Sequence, residues 1–294
     1  MSSPLFTQQF PHGSQAFIDL VNDSVARALA EDIGTGDLTA ALIPATQHAQ
    51  AMIISREDAV ICGIDWVNAC FHQLDKHIKI KWLVNEGEKI SSNQLLCEIS
   101  GNARALLSGE RCALNFLQML SAVASHTRQF VLAVSGTKAQ ILDTRKTLPG
   151  LRLAQKYAVT VGGGFNQRLA LYDGILIKEN HIAAAGSIHA ALQHAYKLNE
   201  KILNKHVSIQ IEVEDLNELQ QALDAGATSI LLDNFSLRDM KEAVRINNGQ
   251  ALLEASGNVD INSVRDIALT GVDRISVGSL TKNIRAIDLS LRIK

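Results

Sequence analysis

Val207-Ser-Ile-Gln-Ile-Glu-Val213, Ser229-Ile-Leu-Leu-Asp233 and Ala251-Leu-Leu-Glu-Ala255 are short runs rich in branched apolar residues. Each precedes a segment with helical spacing: Asp215–Ala225, Leu237–Asn247 and Asn262–Leu269. Short apolar strands alternating with helices are the pattern of parallel strands joined by crossover helices. The pattern extends upstream through strands at Ala139–Asp143 and Gly174–Lys178 and helices at Leu151–Val159 and Ser187–Leu198. Downstream it ends with a strand at Arg274–Val277. Strand ends that recur every roughly 20 to 35 residues suit β/α units closing as a barrel, and a doubly wound sheet shares much of this pattern.

Before this repeat the chain reads differently. A helical stretch over Ala16–Glu31, strand-like segments at Ala51–Ile54 and Ile78–Leu83, and the turn-rich Asn85–Ser92 predict an α+β unit over the first 115 residues. The uncharged Cys112–Thr127 stretch is interrupted by Asn115, Gln118, Ser121 and His126, so it reads as a buried amphipathic helix and not as a membrane span.

Composition narrows the function classes. With 294 residues, 47% hydrophobic content and a net charge of −2, the chain can bury one large core or two smaller ones and lacks the basic coat of a nucleic-acid binder. Anion binding must then come from a few focused cations. Four cysteines stand without a C-x-x-C pair and nine histidines without a metal-ligand cluster. Reduced core thiols, and the absence of a cationic start and apolar run over Met1–Phe10, predict a cytoplasmic protein.

The strand ends carry the chemistry. Asp143, Lys178, Glu212, Asp233, Ser256-Gly257 and Gly278 all fall there, and in a β/α barrel such positions share one mouth. Polar residues end strands for trivial reasons too, but complementary charge at this many ends argues for a site. Asp143-Thr-Arg-Lys-Thr-Leu-Pro-Gly150 sets Arg145 and Lys146 side by side, with Arg152 and Lys156 following. Arg meets a planar carboxylate bidentately and Lys meets phosphate as a point charge, so the pairing suits a ligand with both groups. Gly162-Gly-Gly-Phe-Asn-Gln-Arg168 matches neither nucleotide-binding glycine fingerprint, but it brings Arg168 toward the same mouth. Glu212 and Asp233 suit Mg²⁺ shared with substrate phosphates, or ribose hydroxyls, or internal ion pairs with Lys178 and Arg145. Ser256-Gly-Asn258 and Gly278-Ser279 offer small residues and free backbone N–H groups where many barrels hold phosphate, and they read equally as ordinary turns.

These segments together resemble one family. Glu31-Asp-Ile-Gly-Thr-Gly-Asp-Leu-Thr39, Glu110-Arg-Cys-Ala-Leu-Asn115, Asp143 to Arg152, Gly162 to His181, Ile211-Glu-Val-Glu214, Leu232-Asp-Asn-Phe235, Glu254-Ala-Ser-Gly257 and Ile275-Ser-Val-Gly278 are similar, in order, to quinolinate phosphoribosyltransferases. The resemblance implies conversion of quinolinate and phosphoribosyl pyrophosphate to nicotinate mononucleotide, pyrophosphate and carbon dioxide, in de novo NAD biosynthesis. It implies an N-terminal α+β sandwich over residues 1–115, rejoined by 280–294, and an incomplete, seven-stranded β/α barrel over 116–279.

It also implies roles. Thr144, Arg145, Lys146, Arg168, Lys178, Ser256, Gly257, Asn258, Val277, Gly278 and Ser279 would bind substrate, and Arg111 would reach in from the second subunit of a homodimer. Lys178, Glu212 and Asp233 would be catalytic, the two carboxylates also holding ribose and, through substrate or water, Mg²⁺. Gln167 and Ser121-Ala-Val-Ala124 depart from the family pattern, which usually has His at the first position. A glutamine amide can donate a hydrogen bond but cannot become cationic. Two rival readings of the same residues are an aldolase-like barrel with Lys178 as Schiff-base nucleophile, and a binding protein that keeps the fold without the reaction.

Overall fold

The computed structural model describes residues 4–201 and 207–293. Met1–Ser3 of the expected leader-free start and Lys294 of the expected returning segment lie outside them. The chain divides into two compact units: one holds the chain up to Arg128, Thr147–Gly163 and the chain from Leu280 on, the other Gln129–Lys146 and Gly164–Ser279.

The first unit begins with helices α1 (Leu5–Gln9) and α2 (Gln15–Ile33). The Ser14 hydroxyl accepts the Phe17 N–H at 3.3 Å to start α2, and Phe17, Val21, Val25 and Leu29, four apart, form its buried face. There follow β1 (His48–Ser55), β2 (Ala59–Val60), α3 (Ile64–Leu74), β3 (Lys79–Trp82), β4 (Lys89–Ile90), β5 (Leu95–Asn102) and the long α4 (Ala103–Ala133), whose residues from Gln129 on belong to the second unit. The Cys112–Thr127 helix expected from sequence is the middle of α4.

Later in the chain come β6 (Gln140–Leu142), α5 (Arg152–Val161), β7 (Gly174–Ile177), α6 (Glu179–Ala185), α7 (Ile188–Lys201), β8 (Ser208–Val213), α8 (Leu216–Asp224), β9 (Ser229–Asp233), α9 (Leu237–Asn247), β10 (Leu252–Ser256), α10 (Val264–Leu269), β11 (Arg274–Ser276), α11 (Ser279–Lys282) and β12 (Leu289–Ile293). An antiparallel sheet of order β12-β1-β5-β3 belongs to the first unit, where Ile53 of β1 pairs with Leu291 of β12 on one side and Cys97 of β5 on the other. Gly101 of β5 is required by close approach: a Cβ there would lie 2.6 Å from Ile78 Cγ1. The core around Trp66 is aromatic, with the Phe17 and Tyr157 rings 5.8 and 5.3 Å from the indole. Each large apolar side chain fully buried in this way contributes about 1.5–3 kcal/mol.

The second unit is a parallel sheet of order β6-β11-β10-β9-β8-β7 with crossover helices. Helix starts follow local capping: the Asp215 carboxylate accepts the Glu218 N–H at 2.8 Å, and the Ser236 hydroxyl accepts that of Asp239 at 3.1 Å. The resemblance implied seven strands; among the described residues six form the sheet, and Phe165 adds a single parallel bridge to Leu142. The ladder stops there because side chains take the next backbone donors. Gln167 N–H goes to Asp143 Oδ1 at 3.0 Å and Leu169 N–H to Asp173 Oδ2 at 2.8 Å. The barrel is therefore open beside β7.

Helix α3 of the first unit starts on a half-buried acid, Glu86. Glu86 accepts the Gly63 N–H at 2.8 Å and the Ile64 N–H at 3.1 Å, placing a carboxylate at the positive end of the helix. Burial pushes the Glu86 carboxyl above the ordinary glutamate range, opposed by these amides and by Cys62 and Tyr157. Above the ordinary ionisation pH the folded state keeps a proton that the unfolded state has lost, so this group's contribution to stability falls as pH rises until the folded carboxyl also ionises. Glu86→Gln should remove that part of the fall. Urea denaturation across pH 4 to 7 measures it, and an unchanged pH slope would show that Glu86 ionises alike in both states.

Candidate active site

Alternation along the strands decides what the second unit presents at its carboxyl ends. Side chains two apart share a face, so Leu176 and Lys178, Gln210 and Glu212, Leu231 and Asp233, and Glu254 and Ser256 point the same way from neighbouring strands. All of these but Gln210 line a cavity of about 660 Å³ together with Thr144, Arg145, Lys146, Gln167, Arg168, Asn234, Gly257, Asn258 and Ser276.

Cations dominate one part of this cavity. Arg145 Nε is buried and, among the described residues, has no hydrogen-bond partner. Arg168 donates from Nη1 to the Gly174 carbonyl at 3.0 Å. Its pKa is lowered first by burial and then by the neighbouring Arg145 guanidinium. Two like charges held together with hydrogen-bonding capacity to spare favour an incoming anion.

The carboxylates lie beside them. Lys178 Nζ donates to Glu212 Oε1 at 3.0 Å and Oε2 at 2.7 Å, so one of the ion pairs weighed from sequence is present. Asp233 makes no ion pair with Arg145 among the described residues; its Oδ2 accepts from Asn234 Nδ2 at 2.8 Å. The Lys178 backbone N–H donates to His181 Nδ1 at 3.1 Å, which ties the lysine to the first turn of α6. A Schiff-base nucleophile needs a free lone pair on Nζ, whereas here the Nζ hydrogens are directed at Glu212, which disfavours the aldolase reading.

Gly257 adopts φ +103°, and a Cβ there would run into the Asn234 side chain, so glycine is required. Gly278 lies against Lys146 and Thr144: a Cβ would stand 3.1 Å from Lys146 Cδ and 3.7 Å from Thr144 Oγ1. Val277 is fully buried and its N–H donates to the Leu142 carbonyl at 2.9 Å, leaving only its backbone carbonyl for a ligand. Ser279 opens α11 and, like Val277 and Gly278, is not part of the cavity lining. Arg111 belongs to the other unit, exposed on α4. Asp143, grouped with the strand-end residues from sequence, is fully buried and holds the 166–167 turn through Asn166 Nδ2 at 2.7 Å and the Gln167 N–H. Sequence reading missed Gln210 and Glu254; the signal was their spacing, two residues before Glu212 and Ser256.

Comparison with known proteins decides the family. Residues 37–121 match the family described as quinolinate phosphoribosyl transferase, N-terminal domain, and residues 123–292 match its C-terminal domain. The chain belongs to the quinolinate phosphoribosyltransferase family. A solved structure of the nicotinate-nucleotide pyrophosphorylase from Francisella tularensis is similar with a TM-score of 0.89 and 49% identity, covering 94% of this chain and 97% of that one. A probable carboxylating nicotinate-nucleotide pyrophosphorylase of Bacillus subtilis is 38% identical over 90% of both chains. A mitochondrial, decarboxylating quinolinate phosphoribosyltransferase of Nicotiana tabacum is 38% identical over 90% of this chain and 80% of its own. Family membership favours a catalyst over the fold-only binding protein.

An anion site built on Arg145 and Arg168 has a direct consequence. Replacing both by Ala should weaken binding of inorganic pyrophosphate, measured by calorimetry, by about 10- to 100-fold. Unchanged affinity in the folded double variant would refute the assignment.

Proposed function

We infer that the chain catalyses decarboxylating phosphoribosyl transfer from phosphoribosyl pyrophosphate to quinolinate, giving nicotinate mononucleotide, pyrophosphate and carbon dioxide in NAD biosynthesis. The carrying observation is that two neighbouring guanidinium groups, one with its buried Nε without a hydrogen-bond partner among the described residues, share one cavity with strand-end carboxylates. Such a site binds anions and stabilises charge, which is what this reaction asks of a protein.

The pyridine nitrogen of quinolinate is itself the nucleophile. It attacks the ribose C1, and the C1–oxygen bond breaks with its electron pair leaving on pyrophosphate. Arg145 and Arg168 would hold quinolinate carboxylates or the pyrophosphate, with Lys146 on the phosphate side. Glu212 and Asp233 would sit against the cationic character that develops at C1, so preorganised charge is the main catalytic contribution. The bond to the 2-carboxylate then breaks, carbon dioxide departs, the electron pair remains on the ring carbon beside the cationic nitrogen, and a solvent proton replaces the lost group. Lys178, paired with Glu212, would keep that carboxylate oriented while donating to substrate oxygen.

Glu212 and Asp233 both line the cavity, and two carboxylates with substrate oxygens are a donor set of the kind a hard divalent cation takes. Mg²⁺ would be held by Glu212 and Asp233 with substrate phosphates or water completing its coordination, where it would neutralise the leaving pyrophosphate. Free, buried cysteines support a reducing compartment, and the location proposed is the cytoplasm. No helix among the described residues is long and apolar enough to cross a membrane.

Incubating the purified chain with quinolinate, phosphoribosyl pyrophosphate and Mg²⁺ should yield nicotinate mononucleotide and carbon dioxide. Nicotinate, with one carboxylate fewer, should turn over weakly or not at all. Excess EDTA should abolish the reaction and Mg²⁺ restore it. Equal use of nicotinate would overturn the substrate, and full activity in EDTA would overturn the metal.

The second subunit enters through Arg111. The reading is a homodimer in which the Arg111 of one chain completes the site that contains the Lys178 of the other. Arg111→Ala and Lys178→Ala homodimers should each be nearly inactive. Equal random mixing makes about half of the dimers mixed, each with one intact site, so co-expression should restore roughly a quarter of wild-type activity under two-fold symmetry. Mixed dimers that form and stay silent would exclude a shared site.

A further inference from the structure

Beneath the strand-end cations the cavity has a polar floor at a depth where β/α barrels usually carry bulky apolar side chains. Glu254 is 1% exposed and Gln210 6%. Gln210 Nε2 donates to Glu254 Oε2 at 3.0 Å, and Gln167 Nε2 lies 3.3 Å from both oxygens of the same carboxylate. Gln167 Nε2 also donates to Gln210 Oε1 at 2.6 Å, while Gln167 Oε1 accepts the backbone N–H of Arg168 at 2.7 Å.

An ionised carboxylate has no proton to give. Each amide must therefore turn its NH₂ toward Glu254. That leaves the Gln210 carbonyl to receive Gln167, and the Gln167 carbonyl to receive Arg168. One buried charge sets the direction of every bond in the chain. The backbone N–H of Gln167 is meanwhile held by buried Asp143, so residue 167 is fixed through both main chain and side chain. Burying a carboxylate is costly, and a fold that needed only volume at this point would be served by an apolar residue.

We propose that Glu254 is a positioning residue that acts through Gln167 to fix the backbone at Arg168, and with it the aim of the guanidinium that recognises the dicarboxylate substrate. The proposal rests on the first of the two roles given above for Arg168, that its guanidinium holds a quinolinate carboxylate. Glu254 takes no part in the bond changes; it acts on Arg168 through Gln167.

Glu254→Gln is the direct test, because it keeps the shape and removes the rule that orders the amides. A third amide can donate or accept, so Gln167 can reverse and present its NH₂ to the Arg168 N–H. The KM for quinolinate should rise about 10- to 100-fold, the equivalent of one oriented hydrogen bond to a charged group. kcat and the KM for phosphoribosyl pyrophosphate should change less than about threefold. In a Gln167→Ala background the same substitution should have no further effect, since its route to Arg168 is already gone.

Arg168→Ala is measured alongside. If it raises the KM for quinolinate while a folded Glu254→Gln enzyme does not, the positioning role is wrong and the substrate placement stands. If Arg168→Ala leaves that KM unchanged, the placement fails and the proposal with it. Additive effects of Glu254→Gln and Gln167→Ala would also overturn it. Should Glu254→Gln not fold, Gln167→Met removes the link to the Arg168 N–H at similar volume; it must raise the same KM, and an unchanged value sinks the idea.

Discussion

Parallel ladders hold Asp233 opposite Ser256, Leu231 opposite Glu212, and Ile177 opposite Ile211. Every feature of the cavity depends on this register. Side chains alternate with a period of two, so a slip of one residue on any strand would turn its polar residues toward the covering helices and its apolar ones into the cavity. The crossover helices keep the register, because apolar stripes such as Leu219, Ala222 and Leu223 on α8 bury against the sheet only when the strands are in place. Packing on one side of the sheet thus determines chemistry at its end.

Charge then decides what the cavity can hold. The chain as a whole is nearly neutral, at −2, and yet Arg145 and Arg168 stand close enough for one to lower the other's pKa. Repulsion between neighbouring guanidinium groups is relieved by an anion bound between them. Lys178 differs, since it already has a partner in Glu212. The cavity therefore combines cations waiting for a ligand with a preformed pair, which gives it both affinity and internal order.

The repeat after residue 139 was legible because short strands and amphipathic helices have different periods. The strand at Ser229–Asp233 and the helix at Leu237–Asn247 have the bounds read from sequence. Other elements were not legible, for physical reasons. β5 runs into α4 at Asn102–Ala103 with no intervening loop, and Gly101 there serves close approach to Ile78 instead of a turn, so neither the bounds of β5 nor the full length of α4 showed. α6 is a single short helix whose start depends on His181 folding back to Lys178, a contact that periodicity does not report. The strand-end cations and carboxylates were visible as a set because they sit at turns. Gln210 and Glu254 were not, because a lone polar residue inside an apolar run has no local signature; its meaning comes from the strand beside it.

The open side of the sheet leaves one more consequence. Arg168 follows the Phe165 bridge and spends one guanidinium hydrogen bond on the carbonyl of Gly174, the first residue of β7. It thus ties down the margin where the barrel fails to close while facing the cavity. Natural variation at this position would be screened twice, once by turnover and once by the yield of correctly folded chain, so drift there should be slower than either demand alone would impose.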